Sequence, residues 1–298
     1  MKIDKIIFTS TERYSDFWNL QAEVWSNMGI EPLLLLWGKK SNTDVSERHG
    51  KVLEMTYSSD AIMSLQMTWS KFFHVQSEPN TTWITGDIDL FPLRKSWFIE
   101  NIVGIEDDCY AHLSATALSS KDLHWHNKGG SVSGGIDLPA YFHAAKGKIF
   151  SEIYGMNGDL VDQVNHIVST GKYGRHIPEE YKSKTPKEIA TITGSLKGDH
   201  TNIPYWCADE NYTSDMLWKA VQEKRVKWKG VGYDLIDWNN PYQSSRIDRY
   251  FWTGNNYRFV DMQRLKTNQY IDIHCSVPYI SQSDDLIDIL RLAGMIQR

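Results

Sequence analysis

Thr82-Trp-Ile-Thr85, followed by Gly86-Asp-Ile-Asp89-Leu-Phe-Pro92, decides how this 298-residue chain is read. The first four residues are β-branched or aromatic, the composition of a buried strand, and Gly86 closes the run. Asp87 and Asp89 then stand two residues apart, just past the strand's carboxyl end. In an open α/β sheet that edge is where ligands bind. A hard divalent cation such as Mg²⁺ is typically held by one or two carboxylates together with substrate phosphate oxygens, which such a pair can supply.

Working upstream, Lys5-Ile-Ile-Phe-Thr9 is a short apolar run that ends in the polar cluster Ser10-Thr-Glu-Arg13, a strand and then a loop. Phe17, Leu20, Val24 and Met28 recur at helical spacing, and Gly29 stands where that helix stops. Leu33-Leu-Leu-Leu-Trp37 reads as a second strand, and Ile62, Leu65, Trp69, Phe72 and Phe73 as a second helix. Strand, helix, strand, helix, strand implies parallel pairing with right-handed crossovers. Residues 1–93 are therefore expected to form a Rossmann-like half-sheet.

Downstream the pattern is coarser. A helix is expected over 96–102, a strand over 110–116, a helix over 139–154, a helix over 214–224, a strand over 270–274 and a last helix from Ser283. The Gly129–Gly135 stretch reads as a loop without the GxxxxGK[ST] pattern of a phosphate loop. Residues 173–197 are polar and aperiodic, a surface excursion or a lid. No repeat, linker or low-complexity tract divides the chain, so a single domain over 1–298 is expected, with an elaborated half from 94 to 298.

Composition narrows the function. Thirty-two Lys and Arg against 37 Asp and Glu give a net charge of −5, so there is no global positive field to collect nucleic acid. The longest apolar run is far too short to span a bilayer, and neither a leader nor an anchor is expected. Cys109, Cys207 and Cys275 form no CxxC pair, which argues against a disulfide framework or a thiolate zinc site and for a reducing, cytoplasmic setting. The triplets Asn80-Thr-Thr and Asn211-Tyr-Thr then carry little meaning. Twelve Trp, 15 Tyr and 10 Phe supply many flat faces for sugar rings or bases, though cores consume most of them.

The Gly86–Pro92 segment, set after the third strand of an alternating half, resembles the DxD signature of GT-A fold glycosyltransferases. That resemblance implies a mixed, mainly parallel α/β sheet flanked by helices, a nucleotide-sugar-binding half at 1–93 and an acceptor half at 94–298. It implies Mn²⁺ or Mg²⁺ on the diphosphate of a nucleoside-diphosphate sugar, with Asp89 as the direct metal ligand. Asp87 would face the ribose, the donor sugar or a metal-bound water, or join the metal set. Tyr270-Ile-Asp-Ile-His-Cys-Ser-Val-Pro-Tyr279 resembles the C-terminal His segment of the same family, making His274 the third metal ligand. An imidazole beside carboxylates suits Mn²⁺ better than Ca²⁺. Thr9, Ser10, Thr11 and Tyr14 follow the first strand, where this family holds the nucleotide. Asp209 and Glu210 precede a helical stretch, and either would be the general base of an inverting enzyme, the preferred stereochemistry. The acceptor is a glycan or another hydroxyl compound, with Trp125, Trp206, Trp238 and Trp252 as stacking platforms.

Plainer readings stand beside these. Asp87 and Asp89 also suit a strand-end turn, Asp209 and Glu210 a helix cap, and His274 a satisfied core histidine. His124-Trp-His126 lacks a third ligand at metal spacing and reads as a surface loop or acceptor contact. A sugar-nucleotide nucleotidyltransferase shares the sheet and the cation, but would carry a Gly-rich basic loop where this chain has Thr9-Ser-Thr-Glu-Arg-Tyr14. A non-catalytic glycan-binding protein on the same fold is the remaining alternative.

Overall fold

The computed structural model describes residues 1–113, 138, 140–155, 158–170, 173, 179–181, 183–194, 205, 208–231, 245–247, 260–275 and 283–297. His124, Trp125, His126, Gly129–Gly135, Trp206, Trp238 and Trp252 lie outside them.

The amino-terminal third contains every predicted element in the predicted order, with one further strand after the second. β1 (Lys5–Thr11), α1 (Trp18–Asn27), β2 (Glu31–Trp37), β3 (Lys51–Met55), α2 (Met63–His74) and β4 (Thr82–Thr85) follow one another. β5 (Leu90–Pro92), α3 (Lys95–Glu100), β6 (Cys109–His112), β7 (His143–Lys146), α4 (Gly147–Tyr154), α5 (Leu160–Ser169) and α6 (Pro186–Gly194) come next. α7 (Ala208–Gln222), β8 (Lys227–Gly230), β9 (Arg246–Ile247), α8 (Met262–Lys266), β10 (Asp272–His274) and α9 (Ser283–Leu292) complete the described elements.

Seven strands form one sheet in the order β3-β2-β1-β4-β7-β6-β8. β3, β2, β1 and β4 run parallel, β7 is antiparallel to both β4 and β6, and β8 is parallel to β6. This is the mixed, mainly parallel sheet flanked by helices that the sequence predicts. Successive strand residues face opposite layers. Ile6, Phe8, Leu34, Leu36 and Ile84 enter one core with Trp25 of α1, Phe98 of α3 and Leu290 of α9. Ile7, Leu33, Leu35 and Trp83 enter the other with Trp69 and Phe72 of α2, Phe150 of α4, Ile167 of α5 and Leu217 of α7. A sheet covered on both faces explains why β1 and β2 read as continuous apolar runs.

Several expectations need correction. The predicted helix over 139–154 is strand β7 followed by the shorter α4. Ala144 and Ala145 face opposite cores, and an apolar run buried on both faces cannot be told from a helix by period alone. Small residues suit the place, since Ala145 pairs with Trp83 and Ala144 with Ile84. Gly147 is equally constrained: a Cβ there would lie 2.3 Å from the carbonyl oxygen of Glu78. The residues described within 173–197 are not a mere surface excursion, because Tyr173, Tyr181, Ile189 and Ala190 are buried in the second core. β3 was not expected; it is an edge strand with an exposed, charged composition. β1 continues through Thr11, so Thr9, Ser10 and Thr11 belong to the strand, paired with Leu35, Leu36 and Trp37. α7 starts at Ala208, which puts Asp209 and Glu210 inside its first turn rather than ahead of it.

A second sheet, ordered β5-β10-β9, packs on the α1 side of the main one. β10 is antiparallel to β5 and parallel to β9. It ties the segment after Asp89 to residues far along the chain, and this tie builds the site.

Candidate functional site

The chain leaves β4 into the two aspartates through a tight passage. The Gly86 N–H donates to the Ile7 carbonyl at 2.8 Å, and a Cβ on Gly86 would sit 2.3 Å from Phe8 Cε1. Glycine is required there because the backbone approaches the Phe8 ring too closely for a side chain. On the other flank Phe142 N–H donates to the Thr85 carbonyl at 2.6 Å, and His143 N–H to Thr85 Oγ1 at 3.2 Å. Asp87 and Asp89 thus emerge at the carboxyl edge of the sheet from a backbone held on both sides.

Their partners differ. Asp87 Oδ1 accepts from Lys71 Nζ at 2.8 Å. Lys71 belongs to the last turn of α2, and its side chain is only 3% exposed. Such a buried ammonium needs a counter-charge, because an unpaired buried charge costs several kcal/mol. Asp89 faces His274 instead, with Oδ2 and Nε2 3.6 Å apart and both side chains about a quarter exposed, 24% and 26%. The β5–β10 pairing makes this meeting: His274 stands opposite Leu90, and Cys275 N–H donates to the Asp89 carbonyl at 2.8 Å.

Asp209 is buried in the first turn of α7. Burial raises its pKa; Lys71 lowers it, Asp87 raises it further, and hydrogen bonds from the backbone N–H groups of Asp209 and Glu210 lower it. It therefore shares the electrostatic neighbourhood of the Lys71–Asp87 pair. Glu210 is half-buried, and its Oε1 accepts from the Ala140 N–H at 3.4 Å.

Asp272, two residues before His274, is fully buried and accepts from Arg246 at both oxygens, Nε at 2.7 Å and Nη2 at 2.9 Å. Arg246 Nη1 donates to the Tyr141 hydroxyl at 2.7 Å. Burial first, with Asp272 and Asp87 adding and Arg246 opposing, pushes the Tyr141 phenol up to about 12.

The residues expected for the nucleotide are less engaged. Ser10 is buried and donates to the Thr11 carbonyl at 2.8 Å, while Thr9 and Thr11 are half-buried. Tyr14 is half-buried; its phenol is raised chiefly by burial, lowered by Arg13 and raised by the Asp89 carboxylate, so it shares the Asp89 neighbourhood.

The structure thus brings Asp89 to His274 and pairs Asp87 with Lys71, near enough to Asp209 for both to influence its carboxyl. Among the described residues no group of three or more His, Cys, Asp or Glu is set to hold a metal ion. Asp89 and His274 can still serve a divalent cation whose remaining positions are filled by phosphate oxygens and water, the usual arrangement for Mg²⁺. Sequence reasoning missed Lys71, Tyr141, Arg246 and Asp272.

No protein-family model matches this sequence, and no curated protein matches it. Among solved structures, the chain is similar to the apo bifunctional glycosyltransferase WbbM at 9% identity and a TM-score of 0.37, covering 93% of this chain and 46% of WbbM. It is also similar to the apo glycosyltransferase GlyE of Streptococcus pneumoniae TIGR4 at 9% identity and a TM-score of 0.32, covering 99% of this chain and 90% of GlyE. This chain thus spans about half the length of WbbM. Likenesses this loose say nothing of its chemistry. Among the described residues no helix is long and apolar enough to cross a membrane.

The raised Asp209 pKa carries a stability consequence. A carboxyl that holds its proton more tightly when folded contributes stability that is full below its unfolded pKa, here the ordinary 3.8, and is lost as pH rises through its folded pKa. Asp209→Asn removes that titration. Urea unfolding at pH 4 and pH 7 should show the Asn variant gaining on the wild type as pH rises, whereas parallel pH profiles would mean that burial does not raise the Asp209 carboxyl.

Proposed function

We propose that this protein is a glycosyltransferase that moves a sugar from a nucleoside-diphosphate donor to a hydroxyl acceptor, with a divalent cation at Asp89 and His274. The observation that carries this reading is the 3.6 Å approach of a DxD carboxylate to an imidazole at the carboxyl edge of a mainly parallel sheet. It brings together the two segments that resemble the GT-A pattern, 185 residues apart by the difference of their numbers, 274 − 89.

When bound, the cation supplies Lewis-acid stabilisation of charge on the departing diphosphate. The chain's own groups do the rest. Asp89 and His274 hold the cation. Asp87, fixed by Lys71, faces the ribose or donor sugar, where a carboxylate pinned by an ammonium accepts hydroxyl hydrogen bonds without swinging into the metal set. Tyr14 and the end of β1 border the nucleotide. Transfer forms a bond from the acceptor oxygen to the anomeric carbon and breaks the bond from that carbon to the diphosphate oxygen, whose electron pair stays with the diphosphate. In the inverting form the acceptor proton passes to a carboxylate. Glu210 takes it, being half-buried where Asp209 is buried and feels both Lys71 and Asp87.

A thermal-shift panel with Mn²⁺, nucleoside diphosphates and nucleotide sugars tests the donor and the cation together. One nucleotide series should raise the melting temperature only with metal present, and Asp89→Ala should erase that rise while its own metal-free melting temperature stays near that of the wild type. A response confined to nucleoside triphosphates would move the function to nucleotidyl transfer. Glu210→Gln should lower kcat by about 10²–10⁴-fold with donor affinity kept; undiminished turnover would remove Glu210 from the chemistry and favour retention of configuration.

A further inference from the structure

The Tyr141 hydroxyl spends only half of its hydrogen-bonding capacity. Its oxygen accepts from Arg246 Nη1 at 2.7 Å, and among the described residues its own proton meets no acceptor. A phenol is both donor and acceptor, and Tyr141 is half-buried, so its proton is left for solvent or for a ligand. The hydroxyl is nevertheless gripped in place. The guanidinium that holds it lies over the Tyr141 ring at 5.0 Å and is clamped by both oxygens of the fully buried Asp272.

Two strands place this group at the site. Tyr141 immediately precedes Phe142, whose N–H donates to the Thr85 carbonyl just ahead of the aspartates. Asp272 is two residues from His274 on β10, so it shares that strand's side with the imidazole that meets Asp89. The hydroxyl therefore sits where the backbone beside β4 and the small sheet converge.

Both cations at this corner are already paired, Arg246 with Asp272 and Lys71 with Asp87, and Asp209 shares the second neighbourhood, so no surplus positive charge is left for a phosphate. A neutral donor in a corner without surplus positive charge suits an uncharged hydroxyl. Building on the glycosyltransferase reading, we propose that Tyr141 is a specificity-determining residue whose phenol donates a hydrogen bond to one hydroxyl of the donor sugar, held in that pose by Arg246 and Asp272. A site built to bond a substrate hydroxyl discriminates strongly against the analogue that lacks it, because its own polar group is then stranded.

The test uses the full chain with Mn²⁺, titrated through its tryptophan fluorescence with UDP-glucose, UDP-galactose, UDP-N-acetylglucosamine, GDP-mannose, UDP and GDP. Tyr141→Phe keeps the ring and its contact with the guanidinium. The variant should bind the preferred nucleotide sugar about tenfold more weakly, the worth of one net hydrogen bond, while its affinity for the matching nucleoside diphosphate stays within about twofold. In a monodeoxy series of that sugar, wild type and variant should bind one analogue equally, which names the hydroxyl. Equal affinity of both proteins for the intact nucleotide sugar would overturn the assignment to Tyr141 and leave the transferase reading standing. A parallel loss for nucleotide sugar and diphosphate would also overturn it, marking the residue as merely structural. Failure of the wild type to bind any nucleotide sugar would bring down the transferase reading and this inference together.

Discussion

A carboxylate at a strand end can hold an ion only if the backbone on both sides of it is fixed, and here the antiparallel pairing of residues 90–92 with 272–274 does the fixing. It pins Asp89 through its carbonyl and sets His274 opposite Leu90, so carboxylate and imidazole meet without either side chain having to search. The same strand carries the buried Asp272 that clamps Arg246. Breaking a buried, doubly bonded ion pair by removing one partner costs about 3–5 kcal/mol, a large share of a domain's stability. The position of β10, and with it of the imidazole, is therefore secured by the folding of the protein.

The two aspartates of the motif are neighbours in sequence and differ in electrostatic setting. Asp87 is tied to a buried ammonium, with Asp209 in the same electrostatic neighbourhood; Asp89 has an imidazole that is charged only when protonated. Lys71 makes the crowding of Asp87 and Asp209 tolerable, since two carboxylates sharing a poorly solvated corner otherwise raise each other's pKa. In the proposed function this division gives the cation to Asp89 and the uncharged hydroxyls to Asp87. Under that proposal, the paired charge on one side would meet the neutral end of a sugar diphosphate and the Asp89–His274 pair its anionic end.

β1, β2 and β4 were legible because they are buried on both faces and their helices carry one apolar stripe, so Ile6-Ile-Phe8, Leu33–Trp37 and Trp69 with Phe72 announce themselves by period; the exposed edge strand β3 did not. β7 was not, because Ala144 and Ala145 carry neither β-branching nor alternation in polarity. Asp87 and Asp89 were visible from their place after a strand, and His274 from the resemblance of its segment. Lys71 was hidden, since a lysine in the last turn of a helix is what the helix dipole favours anyway. Arg246, Asp272 and Tyr141 lie in two short strands and a bend, and only the tertiary pairing of β9 with β10 brings a guanidinium to a carboxylate 26 residues away. Long-range polar partners of this kind leave no period in a sequence.

Pulsed electron paramagnetic resonance of Mn²⁺ bound to the protein with its nucleoside diphosphate tests the Asp89–His274 site most directly. The expected spectrum carries ¹⁴N modulation from one coordinated imidazole, lost in His274→Ala, with manganese binding itself lost in Asp89→Ala. Bound manganese without nitrogen modulation, or modulation that survives His274→Ala, would contradict an ion held between these two residues.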